Sequence, residues 1–202
     1  MKENGFEYVD LGLPSGTMWA TCNVGATKPE DPGILFQFGR VNGYKYDDEN
    51  HKFRTNVQNL EYSSSRYIPI TTTGKAYKEK ERLDLADDAA RVHMCGKWKT
   101  PTNNDLEELI DNTTHDVVTV NGVKGMMFTS IINSKQLFIP FAGFWYNGYF
   151  NTVGSYACIW SSIVHASIVS TAYSLCCNSS GDASFSNYYR SCAFSVRGVF
   201  YI

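Results

Sequence analysis

From Phe141 to the C-terminus the chain contains no Lys, Glu, Gln, Met or Pro, although all five occur before that point. Asn, Ser, Tyr, Cys, Ala, Ile and Val fill the stretch instead. A tail so poor in charge is either interior or a surface suited to contact. The interleaved Ser, Asn and Tyr argue against a wholly interior one, because buried polar groups are costly without partners. The expectation is a contact face, residues 141–202, laid over a scaffold, residues 1–140.

At 202 residues the chain has the length of one domain with a sizeable core. A formal net charge of −2 speaks against a basic face meeting phosphates, so neither nucleic acid nor anionic lipid is expected as a partner. The aromatic content of 14%, with 13 Tyr, suits recognition, since Tyr offers large rigid contact area at low entropic cost. MKENGFEYVD has no apolar signal region, and no segment is long and apolar enough to span a bilayer, so membrane insertion is not expected. Cys22 and Cys95 stand alone, whereas Cys158, Cys176, Cys177 and Cys192 crowd the tail without C-x-x-C spacing. Free thiols acting as small apolar residues are expected.

Taken in order, EYVDLGLPSG reads as a short strand before a turn at Pro14-Ser15-Gly16, TMWATCNVGA as a second extended run, and ILFQFG as a third. Residues 41–80 are polar and Tyr-rich and read as a surface excursion, its Asp47-Asp48-Glu49 a solvated run rather than a calcium site. Leu83, Ala86, Ala90 and Met94 recur at helical spacing, predicting a helix from Glu81 to Met94 that stops at Gly96. A second helix follows Thr102, whose capping box with Asp105 precedes Leu106, Leu109 and Ile110. VVTVNGVKGMMF predicts a hairpin about Asn121-Gly122, and SKQLFIP another strand. In the tail, Phe141, Phe144, Trp160, Tyr173, Leu175, Phe194 and Val196 read as core, and AFSVRGVF as one alternating final strand. Helices early and strands late give an α+β expectation with two short helices and a twisted antiparallel sheet.

EYVDLGLPSGTMWATCNVGA, DDAARVHMCGKWKTPT, NGVKG, LFIPFAGF, VGSYACIWSS and RSCAFSVRGV, in that order, resemble the Bacteroidetes (Fibrobacter succinogenes type) major paralogous domain. That family is a branch of the C-type lectin fold related to formylglycine-generating-enzyme-like domains. The resemblance runs from about Glu7 to Val199 apart from residues 41–80. It implies that the first and last strands pair, joining Tyr8–Leu11 to Phe194–Phe200, with late strands and loops carrying the ligand.

The tail also resembles the variable region of proteins diversified by retroelements, in which AAY-type codons are rewritten at adenine. Such codons can become Asn, Tyr, Ser, Cys, Ile or Val but never Lys, Glu, Gln or Met, which matches the missing set apart from Pro. Trp145 and Trp160 lie outside what such codons can become and belong to the scaffold under this reading. The resemblance implies that the written, ligand-facing positions are Tyr146, Asn147, Tyr149, Phe150, Tyr156, Cys158, Ile159, Ile163, Val164, His165, Ala166, Ser167, Ile168, Ser174, Cys176, Phe185, Ser186, Asn187, Tyr188, Tyr189, Ser191 and Cys192. Cys177, next to Cys176 on a strand, is expected to face the core.

His51, His93, His115 and His165 lie in unrelated segments with no partner at ligand spacing, so no metal, cofactor or catalytic group is expected. No nucleophile-elbow, zincin, P-loop or dinucleotide motif occurs. The leading expectation is a non-enzymatic receptor-binding protein of a phage or its bacterial host, virion-associated or at the cell surface. It would attach to a surface protein or glycan of a bacterial cell, as a homo-oligomer that gains avidity. The runner-up is an undiversified carbohydrate-binding or adhesion module with a fixed ligand. A third reading, from the enzyme resemblance, is an oxidoreductase using Cys176, Cys177 or Cys192.

Overall fold

A computed structural model of the chain describes residues 1–47, 52–55, 81–147, 149–168 and 170–202. Most of the expected excursion, including Asp48, Glu49 and His51, lies outside them. The elements in chain order are β1 (Lys2–Glu3), β2 (Phe6–Asp10), β3 (Thr17–Asn23), β4 (Ile34–Gln37), β5 (Tyr44–Asp47), β6 (Lys52–Thr55), α1 (Ala89–Met94) and α2 (Asn103–Asp111). They continue with β7 (Thr113–Val120), β8 (Val123–Ser130), β9 (Gln136–Pro140), β10 (Phe144–Tyr146), β11 (Tyr149–Asn151), β12 (Tyr156–Val164), β13 (Thr171–Asn178), β14 (Ala183–Tyr189), β15 (Ala193–Ser195) and β16 (Arg197–Tyr201).

The architecture corrects the α+β expectation. Half of the described residues are strand and 9% helix, spread over several sheets, so the fold is mainly β rather than an α+β C-type lectin. The missing helix explains part of the difference. Leu83 and Ala86 have helical spacing, yet Leu83 N–H donates to Ser162 C=O and Arg82 bridges Ile163, so this backbone is spent on strand pairing. Helix α1 begins only at Ala89, where the Asp88 carboxylate accepts from Arg91 N–H. Helix α2 forms as the sequence predicts. Thr102 Oγ1 accepts from Asp105 N–H and the Asp105 carboxylate accepts from Thr102 N–H, completing the capping box.

Among the described residues the strands form three sheets. One runs β1-β2-β3-β16, a second β14-β13-β12-β15-β4-β5-β6 with β10 and β11 attached through β15, and a third β7-β8-β9. The last strand pairs with β3 rather than β2, so the first and last strands of the expectation share β3 as a neighbour. AFSVRGVF is not one strand. Val196 separates β15, which joins the second sheet, from β16, which joins the first, and all residues from 192 to 200 are buried. The second sheet is mixed, because β12 and β15 run parallel at Ile159 and Ser195. The β7–β8 hairpin turns at Asn121 (φ 48°) and Gly122 (φ 86°), the left-handed pair that a two-residue hairpin requires.

Strands β12 and β13 separate two apolar cores. Cys158, Trp160, Ala172 and Cys176 face one with Phe36, Phe194 and Trp98, while Ala157, Ile159, Leu175 and Cys177 face the other with Trp19, Leu106 and Phe128. Alternating side chains point to opposite faces, and here both faces are covered. The first core is tied by Trp160, whose indole N–H donates to Phe36 C=O (2.8 Å) and whose ring lies 4.3 Å from Phe194.

Candidate functional site

Three connections of the tail meet at one end of the second sheet. The β10–β11 hairpin pairs Tyr146 with Tyr149 across a turn in which Asn147 has φ 50°. Its base is fixed by Trp145, stacked on Tyr44 at 4.7 Å, and by Phe150, edge-on to the same ring at 5.8 Å. Gly143 sets the approach of this hairpin: its φ is 67°, and a Cβ there would sit 2.4 Å from Asn151 C=O. Tyr146 stacks on Tyr189, at 6.4 Å and 12° between ring planes, bringing the hairpin to the end of β14.

The β12–β13 connection joins them because Thr171 pairs with Tyr189 and Arg190 N–H donates to Ser170 C=O. Its shape is held by His165, whose Nδ1 accepts from Ser167 and Ile168 N–H, and by Thr171, which donates to Ile168 C=O from both N–H and Oγ1. A bulge between Trp160 and Val164 turns the second half of β12 toward the scaffold. There Ser162 N–H donates to Pro101 C=O and Val164 N–H to Glu81 C=O.

The resulting face exposes Tyr146, Asn147, Tyr149 (73%), Ala166, Ser167, Ile168 (48%) and Tyr189 (55%), with Asn187 beside them on β14. It carries no formal charge. The charged residues after Pro140 are Asp182, Arg190 and Arg197; the arginines are buried, and Asp182 lies at the β13–β14 turn, at the opposite end of those strands.

The remaining expected site residues divide. Phe150, Tyr156, Ile163, Val164, His165, Phe185, Ser186, Tyr188 and Ser191 are half-buried. Phe185 stacks on Tyr173 (5.1 Å), and the His165 ring, just past the end of β12, lies 4.8 Å from the same tyrosine. Tyr188 packs on Phe194, and its hydroxyl meets that of Tyr156 at 2.7 Å; burial and this contact raise the Tyr156 pKa.

Cys158, Ile159, Ser174, Cys176 and Cys192 are corrections, for all five are buried at 3% exposure or less. The expectation assumed that one face of the tail strands is open, whereas the two cores cover both. The free-thiol expectation is corrected as well. Cys158 and Cys176 lie directly opposite on β12 and β13, with Cα atoms 4.3 Å apart, and form a disulfide. Residues that sequence reasoning did not single out include Tyr44, which holds the hairpin, and Gln37, whose amide donates to Ser191 C=O and fixes the turn after Tyr189. Only pairing across more than a hundred residues reveals either.

Cys22, Cys95, Cys177 and Cys192 remain as thiols. Burial pushes Cys177 and Cys192 up to about 12 from an ordinary 9.0, so neither supplies a thiolate near neutral pH. Iodoacetamide at about pH 8 is therefore expected to label exposed Cys95 in the native state, and Cys177 and Cys192 only after unfolding. A raised acid pKa means that the folded state holds the proton more tightly. Stability is therefore full below 9.0 and falls as pH rises toward about 12, a loss readable as a declining urea midpoint. Labelling of both thiols at a rate equal to that of Cys95 would refute this burial.

Among the described residues, no group of three or more His, Cys, Asp or Glu could hold a metal ion. Among the same residues, no helix is long and apolar enough to cross a membrane. Compared with protein-family models, curated proteins and solved structures, the chain matches none.

Proposed function

We propose that this chain is a non-enzymatic binding protein whose ligand face is the junction of the β10–β11 hairpin, the β12–β13 connection and the end of β14. The observation that carries the reading is the convergence of Tyr146, Tyr149, Tyr189 and Ile168 on a charge-free surface whose loops are held by their own hydrogen bonds. Exposed tyrosines on a fixed backbone give rigid contact area, and few ordering costs accompany binding. The partner class is a surface protein or neutral glycan of a bacterial cell. Absence of charge predicts an affinity that changes little with salt.

The triple variant Y146A/Y149A/Y189A tests the proposal. Its side chains are exposed or partly so, and the fold is expected to survive. Binding of fluorescently labelled chain to bacterial cells should fall about 100-fold, as for loss of central aromatic anchors. Unchanged cell binding by the folded variant would remove the face from consideration.

We also propose that the face is one member of a diversified set written by a retroelement, supported by the residue types absent after Pro140. A template copy of this coding region is then expected to carry adenines at codons for Tyr146, Asn147, Tyr149, Ala166, Ser167, Ile168, Asn187 and Tyr189. Codons for buried positions such as Ile159 and Ser174 should be spared, since core substitutions commonly cost about 1–3 kcal/mol. The fixed-ligand alternative draws support from that same burial, which removes five positions from the writable set. Sequencing the DNA beside the gene separates the two, because a fixed module has no such copy.

A further inference from the structure

A pocket of about 380 Å³ opens where the β7–β8 turn, the end of β9, the loop preceding β4 and the loop after β11 meet. Its floor is Pro140, Phe141 and Ala142, all buried, and Val153, 55% exposed, forms one wall. Half-buried Glu30 and exposed Lys124, residues of opposite charge, are both among its lining. Neither Glu30 nor Lys124 belongs to an ion pair among the described residues. Glu30 is nonetheless held in place: Asn121 Nδ2 donates to its Oε1 at 2.8 Å, and this bond, the largest influence on it, lowers the Glu30 pKa and keeps the carboxylate charged.

The lining restricts the occupant. The volume lies in the range of small-molecule sites, which begin at roughly 300 Å³ and combine apolar walls with a few placed polar groups. A simple cation would be opposed by Lys124, a simple anion by Glu30, and a pure hydrocarbon would leave both charges partly desolvated without return. We propose that the pocket binds a small apolar zwitterion, of the class of free apolar amino acids and their dipeptides. Its ammonium faces Glu30, its carboxylate faces Lys124, and its hydrocarbon rests on Pro140, Phe141 and Ala142. The tyrosine face takes no part, so the two sites stand or fall separately.

The test titrates leucyl-leucine, its N-acetyl derivative and its C-terminal amide into the full chain with methyl-labelled Ala and Val, observed by NMR. The Ala142 and Val153 methyl signals are expected to shift with the free dipeptide. Acetylation and amidation, each deleting one charge, should weaken binding about fivefold, as for a partly exposed ion pair. Glu30→Gln should weaken the free dipeptide by the same factor and leave the acetylated one unaffected; Lys124→Gln should do likewise for the free and amidated forms. Val153→Asp, at an exposed position, should reduce binding of all three, and Y146A/Y149A/Y189A none. Unmoved methyls at saturating dipeptide, or equal affinity for all three ligands, would overturn the proposal.

Discussion

Replacing Arg197 by Ala is expected to lower the free energy of unfolding by about 4 kcal/mol, measured by urea denaturation. Arg197 is fully buried and ties β16 to β3 and β9: Nε donates to Asn23 Oδ1 (3.1 Å) and the two terminal nitrogens to Ala20 C=O (3.1 Å) and Phe138 C=O (3.0 Å). The guanidinium is held by neutral oxygens, and burial lowers its pKa. Truncation leaves those acceptors in a dry cavity, and unmet buried acceptors each cost about 1–3 kcal/mol. Arg197→Lys tests the geometry rather than the charge. One ammonium cannot reproduce the planar fork, so roughly half of the loss should persist. A cost below about 1 kcal/mol for Arg197→Ala would show that these bonds contribute little net stability.

The second large effect concerns the disulfide. The Cys158–Cys176 bond closes a loop with a sequence separation of 18, and removing it as C158A/C176A is expected to cost about 3 kcal/mol through the freedom restored to the unfolded chain. Both sulfurs lie in the first core beside Trp160 and Ala172, so part of any excess reflects lost packing. The reduced wild-type chain separates these contributions, because it keeps the side chains and loses only the link. Equal urea midpoints for oxidised and reduced protein would deny the bond a role in stability. Reduction is also expected to leave the Tyr146–Tyr189 stack in place, since neither ring borders the sulfurs.

What the sequence disclosed was local. The capping box at Thr102 and Asp105 is complete within four residues, and the Asn121-Gly122 turn within two, so both were legible. The first helix is shorter than its spacing predicts, because Arg82 and Leu83 answer to Ile163 and Ser162, about eighty residues away. The same limit governs the site. Tyr146, Tyr149 and Tyr189 stand exposed at the ends of their strands and Ile168 on the connection between β12 and β13, where the strand period runs out. Cys158, Ile159 and Ser174 sit on strands covered on both faces, and coverage of the second face leaves no sign in the alternation. Burial of Ser174 beside Cys176 Sγ, at 3.5 Å, depends on the β12–β13 register, which no spacing within the tail encodes. Uninterrupted burial from 192 to 200 conceals the change of sheet at Val196, so AFSVRGVF reads as one strand where there are two.

The wall formed by β12 and β13 has a consequence for heredity. Because Cys176 reports to one core and Cys177 to the other, the tail spells two interleaved messages, read by different halves of the molecule according to odd or even position. A change at an even position must be reconciled with Trp160 or Phe194, one at an odd position with Leu106 or Phe128. Compensating changes in these strands should therefore skip the adjacent residue, so that neighbours in the gene drift independently while positions two apart remain bound to each other.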